Sequence, residues 1–152
     1  MYLERALPHR MEGMLITRKI EFSASHLLRS PELSDAGNLA FYGPASNPNG
    51  HGHNYIVEVT VSGTPDPLTG MVMDLKELKD ILNREVLDPF DHRFLNHEVP
   101  PFDTVIPTVE NIAIEIWRRL APQVDRAEAK LHSVRLWETP DLYVEYYGEI
   151  PA

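Results

Sequence analysis

Two histidines stand one residue apart in the stretch NPNGHGHNY, between a turn-forming segment and a strand pattern. Residues i and i+2 of a strand point to the same side of a sheet, so His51 and His53 share a face. His26 ends an earlier alternating segment and has the parity of its apolar residues. If the two strands pair antiparallel, the three imidazoles meet at one end of the core face. Three histidines with an open fourth position are typical of a catalytic zinc site, although HxH alone would be two ordinary polar residues.

Two further positions carry side chains suited to acid-base chemistry or ligand binding. Asp91 precedes His92 in a polar loop, and an adjacent carboxylate can orient an imidazole and raise its basicity. A solvated Asp-His pair is the alternative. Glu138 shares strand parity with apolar residues, so its carboxylate would point from the core face and would need a partner or a ligand. The alternative is that Glu138 marks the exposed end of its strand.

Composition limits the partners of the chain. It has 152 residues, 43% of them hydrophobic, and a net charge of -9. This charge argues against nucleic acid as the main partner, because phosphate contacts need clustered Lys and Arg. No apolar run approaches the ~20 residues that span a bilayer, so no membrane partner is expected. The absence of cysteine excludes thiolate ligands, so a metal site must use His, Asp or Glu, and it is compatible with a cytoplasmic location.

The elements that must position these residues follow from hydrophobic periodicity. Alternation predicts two early strands, and a period of 3.6 predicts two helices before two closing strands. The predicted strands are residues 15–26, 51–62, 130–138 and 142–147, and the predicted helices are residues 75–87 and 109–120. Residues 27–50 are rich in Ser, Pro, Asn and Gly and are predicted as a long loop.

The order β-β-α-α-β-β predicts an α+β fold, in which two helices cover one face of a four-stranded antiparallel sheet. Residues 1–14 are expected to be a flexible N-terminal extension and residues 15–152 a single domain. A sheet of four strands leaves two edges open, and open edges favour pairing with other subunits.

The strings FSASH, NPNGHGHNY, TGMVMDL, DH, TVEN and WET occur in an order that resembles the 6-pyruvoyltetrahydropterin synthase family. The similarity covers nearly everything from Ile16 to Glu149. The long loop before the histidine pair resembles the branch that forms 6-pyruvoyltetrahydropterin in tetrahydrobiopterin biosynthesis. It is less similar to the shorter-looped 6-carboxytetrahydropterin synthases of queuosine biosynthesis.

The resemblance implies the tunnelling fold, in which β-β-α-α-β-β units form trimers and two trimers stack into a homohexamer. It implies Zn2+ on His26, His51 and His53. It also implies that Glu138 binds the amide-like edge of a pterin, with help from residues near Thr108. Asp91 and His92 match the acid-base pair of the family.

One position departs from the family pattern. The family's catalytic cysteine lies a few residues before the first histidine of GHGH, and the matching residue is Ala45. A thiolate can accept a proton near neutral pH, whereas a methyl group cannot. The neighbouring serine is a poor substitute. Three interpretations follow: a variant that uses His92 alone or through water, a different reaction on a related pterin, or an engineered Cys-to-Ala protein.

The resemblance therefore implies a zinc-dependent lyase that eliminates triphosphate from 7,8-dihydroneopterin triphosphate, a carbon-oxygen lyase acting on a phosphate ester. The alternatives are a 6-carboxytetrahydropterin synthase, an enzyme that cleaves the dihydroneopterin side chain, or a catalytically silent pterin-binding homologue.

Overall fold

The computed structural model describes residues 13–149. Most of the predicted N-terminal extension, residues 1–14, lies outside the described residues, and Met14 is the first residue of a strand. The strands are β1 Met14–His26, β2 His51–Gly63, β3 Arg93–Phe94, β4 Ala129–Thr139 and β5 Leu142–Tyr146. The helices are α1 Asp35–Tyr42, α2 Leu75–Leu82, α3 Asp88–Phe90, α4 Leu95–Glu98 and α5 Val109–Val124.

Within the described residues the strands form a five-stranded sheet in the order β3-β1-β2-β4-β5. The four predicted strands are present and pair antiparallel, as expected. The predicted number of strands was wrong by one, since β3 pairs parallel with β1 at Ala24 and Ser25 and makes the sheet mixed. A strand of two residues is too short to give an alternation signal, so the sequence does not reveal it.

The core lies between one face of this sheet and the helices. Along β2 the residues Tyr55, Val57, Val59 and Val61 are buried, as their alternation predicts. Both α2 and α5 contribute to the same buried cluster, so the prediction that the two helices cover one face is confirmed. The other face is polar; for example, the Thr17 and Thr60 hydroxyl oxygens lie 2.8 Å apart there.

The two helices that the sequence predicts, α2 and α5, begin at the predicted residues. Asp74 caps α2 by accepting a hydrogen bond from the Lys76 backbone N–H at 2.9 Å. The helical run continues after α2 as a π-helical turn, Asn83–Leu87, and then α3. Helix α5 extends to Val124, four residues beyond the predicted end. Among residues 13–149, no helix is long and apolar enough to cross a membrane.

The segment 27–50 is more ordered than its composition predicts. It contains α1 and a 3-10 helix, Gly43–Ser46, so the prediction of a long loop was wrong. Ser34 caps α1, and the buried Asn38 side chain accepts from Ser30 N at 2.8 Å and donates to Ser30 O at 3.1 Å. The polar residues on which the loop prediction was based make these hydrogen bonds, because Ser and Asn side chains can cap helices as well as form turns.

Candidate metal centre

Strand register brings the three histidines of the sequence prediction together. His26 is the last residue of β1 and pairs with His51, the first residue of β2, while Ala24 pairs with His53. All three side chains therefore emerge on the core face at the same end of the sheet. One ring nitrogen from each lies within 4.8 Å of the others. This is a cluster of three donors around a common point.

His26 has a defined tautomer. It is fully buried, and its Nδ1 lies 2.7 Å from the Pro107 carbonyl oxygen. Because a carbonyl oxygen only accepts hydrogen bonds, Nδ1 carries the proton and donates it. In the neutral ring Nε2 is then an unprotonated lone-pair donor, and it faces His51 Nε2 at 3.1 Å.

Electrostatics favours the neutral form of His26 and His53. Burial lowers the pKa of His26 to about 4, against the opposing effect of the Pro107 hydrogen bond, and the charges of His51 and His53 lower it further. Burial, and then the charge of His51, lowers the pKa of His53 as well. Neutral imidazole is the form that binds metal ions. His51 Nδ1 is buried without a hydrogen-bond partner among the described residues.

Glu138 faces the histidines from β4. Its Oε1 lies 3.6 Å from His26 Nε2 and 3.7 Å from His53 Nε2, and its side chain is 16% exposed. Burial raises the pKa of Glu138, with a smaller contribution from the charge of Glu110. The structure therefore places this carboxylate inward, as its strand parity predicts, rather than at an exposed strand end. It lines a cleft of about 430 Å³ together with His53 and Trp137.

Asp91 and His92 form an oriented pair at the edge of the sheet. Asp91 Oδ2 lies 2.9 Å from His92 Nδ1, and Asp91 Oδ1 accepts from the Ser23 backbone N–H at 2.9 Å. The Ser23 hydrogen bond, and to a smaller extent His92, lower the pKa of Asp91. The His92 side chain is 83% exposed, and it lines an open groove of about 530 Å³ to which His53 also contributes. The pair is not in contact with the three histidines but opens onto the same groove as one of them.

The backbone around His92 is fixed by β1. Its N–H donates to the Ser23 carbonyl at 2.6 Å, and its φ is 60°. A positive φ is uncommon for a residue other than glycine, and such residues are often found at functional sites. Sequence reasoning missed the role of Ser23, because the contact joins distant segments through backbone atoms.

Thr108 and Ala45 are each connected to a neighbour of the buried His26 in the fold. Thr108 caps α5 by accepting from the Asn111 backbone N–H at 3.2 Å, and it directly follows Pro107, the partner of His26. Ala45 lies in the 3-10 helix, and its carbonyl accepts from the Leu28 backbone N–H at 2.9 Å, two residues after His26. Sequence reasoning also missed the Pro107 carbonyl and Asn111. The signal available for Asn111 was its position three residues after Thr108, the spacing at which a helix-capping side chain bonds the backbone.

A family model described as 6-pyruvoyl tetrahydropterin synthase matches residues 15–149. The chain belongs to this family. The human 6-pyruvoyl tetrahydrobiopterin synthase is 47% identical over 134 residues, which cover 88% of the chain and 91% of the relative. The Archaeoglobus fulgidus protein named putative 6-carboxy-5,6,7,8-tetrahydropterin synthase is 36% identical over 88% of the chain and 96% of the relative.

The solved structures include a similar fold. The Caenorhabditis elegans 6-pyruvoyl tetrahydropterin synthase structure has a TM-score of 0.85 and 41% identity, and the match covers 92% of this chain and 99% of that one. The expected family and its α+β fold are thereby confirmed. Membership shows an enzyme of pterin biosynthesis, a lyase of the pterin synthase type.

Proposed function

We propose that the chain is a zinc-dependent lyase that acts on 7,8-dihydroneopterin triphosphate and eliminates triphosphate. The observation that carries this proposal is the cluster of three imidazoles at one end of the core face. Ligands about 2.0–2.1 Å from a tetrahedral zinc are about 3.3–3.4 Å apart, and the 3.1 Å separation of the His26 and His51 Nε2 atoms is close to that value. The donor set fits zinc.

His26, His51 and His53 would hold the ion. Bound zinc would act as a Lewis acid toward the side-chain oxygens of the substrate and acidify the adjacent C–H bonds. Water is excluded from the His26 side of the cluster, because His26 is fully buried. One of the three histidines, His53, also lines the cleft that contains Glu138.

Glu138 and Thr108 are proposed to bind the pterin. A carboxylate can accept two hydrogen bonds from the N–H groups of the pterin's amide-like edge, and such charge-assisted bonds are stronger than neutral ones. The half-buried position of Glu138 supports this role. Thr108 lies at the start of α5, where the substrate edge could also meet polar backbone groups.

His92, oriented by Asp91, is proposed to move the proton. The 2.9 Å contact between Asp91 Oδ2 and His92 Nδ1 leaves His92 Nε2 for proton exchange with the substrate. Ala45 offers no second proton acceptor. We therefore expect slow turnover, since loss of a general base commonly reduces rates ~10²–10⁴-fold.

Two observations favour alternatives. Ala45 favours a catalytically silent pterin-binding protein, and the 36% identity to a relative named as a putative 6-carboxy-5,6,7,8-tetrahydropterin synthase favours that activity. The decisive experiment incubates purified, zinc-loaded protein with 7,8-dihydroneopterin triphosphate and measures triphosphate release and product mass. Release with a pyruvoyl product supports the proposal, a carboxylated or cleaved pterin supports another reaction, and binding without release supports the silent protein.

We also propose that the chain assembles as a homohexamer of two trimers. Beyond its two-residue contact with β3, the outer edge of β1 is unpaired among the described residues, and β5 forms the other edge of the sheet. Such edges favour strand pairing between subunits. Light scattering should give about six times the 17.3 kDa chain mass, and a stable monomer at micromolar concentration would refute the assembly. The cytoplasmic location stays a prediction.

A further inference from the structure

The turn before α5 is held by three hydrogen bonds, one of which comes from the Asn111 side chain. Asn111 Nδ2 donates to the Ile106 carbonyl at 2.9 Å, and the Asn111 backbone N–H donates to Thr108 Oγ1 at 3.2 Å. The Thr108 backbone N–H also donates to the Ile106 carbonyl, at 2.8 Å. Asn111 therefore ties both ends of the three-residue turn Ile106–Pro107–Thr108 to the first turn of the helix.

The residue in the middle of this turn supports a buried histidine. The Pro107 carbonyl receives the His26 Nδ1–H at 2.7 Å. The direction of that carbonyl depends on the turn, and the Asn111 side chain supplies one of the bonds that hold the turn, at Ile106. A second polar group lies near both ring nitrogens, since the buried Tyr55 hydroxyl is 3.3 Å from His26 Nδ1 and 3.5 Å from His26 Nε2.

The Pro107 carbonyl is compatible with one tautomer of His26, whereas the Tyr55 hydroxyl is compatible with either. The Pro107 carbonyl can only accept, so it keeps the ring proton on Nδ1 and leaves Nε2 free. The Tyr55 hydroxyl can donate, and a hydrogen bond from it to Nδ1 would move the ring proton to Nε2. A protonated Nε2 cannot bind a metal ion. The carbonyl at 2.7 Å is closer than the hydroxyl at 3.3 Å, so the metal-binding tautomer is favoured while the turn is held.

We propose that Asn111 is a positioning residue for the metal ligand His26: by fixing the Pro107 carbonyl against competition from Tyr55, it keeps the proton on Nδ1 and leaves Nε2 free to bind the metal. The inference rests on the proposed metal site. Partners that orient a ligating histidine commonly contribute ~10–100-fold to metal affinity. This places a determinant of metal affinity on a helix that supplies no ligand.

The first measurement is zinc affinity in competition with a chelator. Asn111→Ala should raise the zinc Kd by about 10–100-fold. Asn38→Ala is the matched control, because Asn38 is also buried and its side-chain amide also bonds backbone groups, at Ser30, Leu33 and Ser34. Asn38→Ala should leave zinc affinity unchanged. An unchanged zinc Kd in folded Asn111→Ala would overturn the inference.

The second measurement distinguishes positioning from general destabilisation. Nitrogen-15 NMR of metal-free protein should show His26 protonated on Nδ1 in the parent and a substantial Nε2-protonated fraction in Asn111→Ala. The added change Tyr55→Phe removes the competing hydroxyl, so the double variant should recover the Nδ1-protonated tautomer and much of the zinc affinity. Absence of this rescue would count against the competition.

Two outcomes remain, a variant that does not fold and a parent protein that does not bind zinc. If Asn111→Ala does not fold, Asn111→Asp removes the same donor while keeping the side-chain size, and a negative charge is favourable in the first turn of a helix. Its His26 should show the same tautomer shift, and an unshifted tautomer would overturn the inference. Failure of the parent protein to bind zinc would contradict the proposed function instead, and the metal-free tautomer measurement would still test Asn111.

Discussion

The Nε2 atoms of His26 and His51 lie 3.1 Å apart across a register pair at one end of β1 and β2. Since the His26 proton is on Nδ1, its Nε2 presents a lone pair to the neighbouring ring. Two ring nitrogens at this distance are held together by a shared proton or by a cation.

The parent protein should bind one zinc ion per chain, and His51→Ala should lose it, because two imidazoles are too few ligands for tight binding. Elemental analysis after dialysis against a weak chelator measures the stoichiometry. His132→Ala is the control, since His132 lies on β4 outside the cluster. Equal zinc content in His51→Ala and the parent would contradict the site.

Glu138→Gln should weaken pterin binding while leaving zinc content unchanged. Loss of a charge-assisted bond to the pterin N–H groups is worth ~1.5–3 kcal/mol, or roughly one to two decades in affinity. Calorimetry with the parent and the variant measures the change. Glu128→Gln, an exposed residue before β4, should bind pterin as the parent does. Unchanged affinity in Glu138→Gln would show that this carboxylate does not bind pterin.

Ala45→Cys should raise turnover of 7,8-dihydroneopterin triphosphate by ~10²-fold or more, the usual contribution of a general base. A thiol adds little volume to a methyl group, so substrate affinity should change little. Ala45→Ser is the matched control, because an unactivated hydroxyl scarcely ionises and should give little gain. Triphosphate release measures all three proteins, and equal rates for parent and Ala45→Cys would rule out the proposed mechanism.

Glu115 should make stability depend on pH. This buried carboxylate on α5 accepts from Arg118 Nε at 2.7 Å and from Arg119 Nε at 2.8 Å. Burial alone would raise the pKa of Glu115, but the hydrogen bonds and charges of both arginines outweigh it and lower the pKa below its usual value. As the pH falls through the usual pKa range of a glutamate, the unfolded chain therefore takes up this proton first. The stability that Glu115 contributes is lost as the pH falls further, through the pKa of Glu115 in the folded protein.

Urea unfolding at pH 7 and at progressively lower pH tests this expectation. Glu115→Gln should lower the free energy of unfolding by about 1–3 kcal/mol at pH 7, because charged hydrogen bonds to a buried acceptor are lost. The difference between variant and parent should shrink as the pH falls. A difference that stays constant with pH would show that ionised Glu115 contributes nothing to stability.

The convergence of the histidines could be predicted because strand parity and antiparallel pairing fix where side chains point. Glu138 could be placed on the core face by the same reasoning, from its parity with Val134 and Leu136. These inferences depend only on the period of a strand and on which strands are neighbours.

The supports of the site could not be predicted, because they depend on backbone atoms of irregular segments. The Pro107 carbonyl and the Ser23 backbone reach their partners across long sequence separations. Strand β3 forms only where the Asp91 and His92 segment docks on β1. Glu115 gave no sign of burial either, since its charge is compensated by two arginines on the same helix.

The pairing of His26 with His51 has a consequence for the chain between them. His26 is the last residue of β1 and His51 is the first residue of β2, so an ion bonded to both would join the two ends of the segment formed by residues 27–50. That segment includes α1 and the 3-10 helix that contains Ala45. An ion at this point would therefore close residues 27–50 into a ring through the metal. We expect bound metal to slow proteolysis within this segment, which hydrogen bonds such as that from the Leu28 N–H to the Ala45 carbonyl already order.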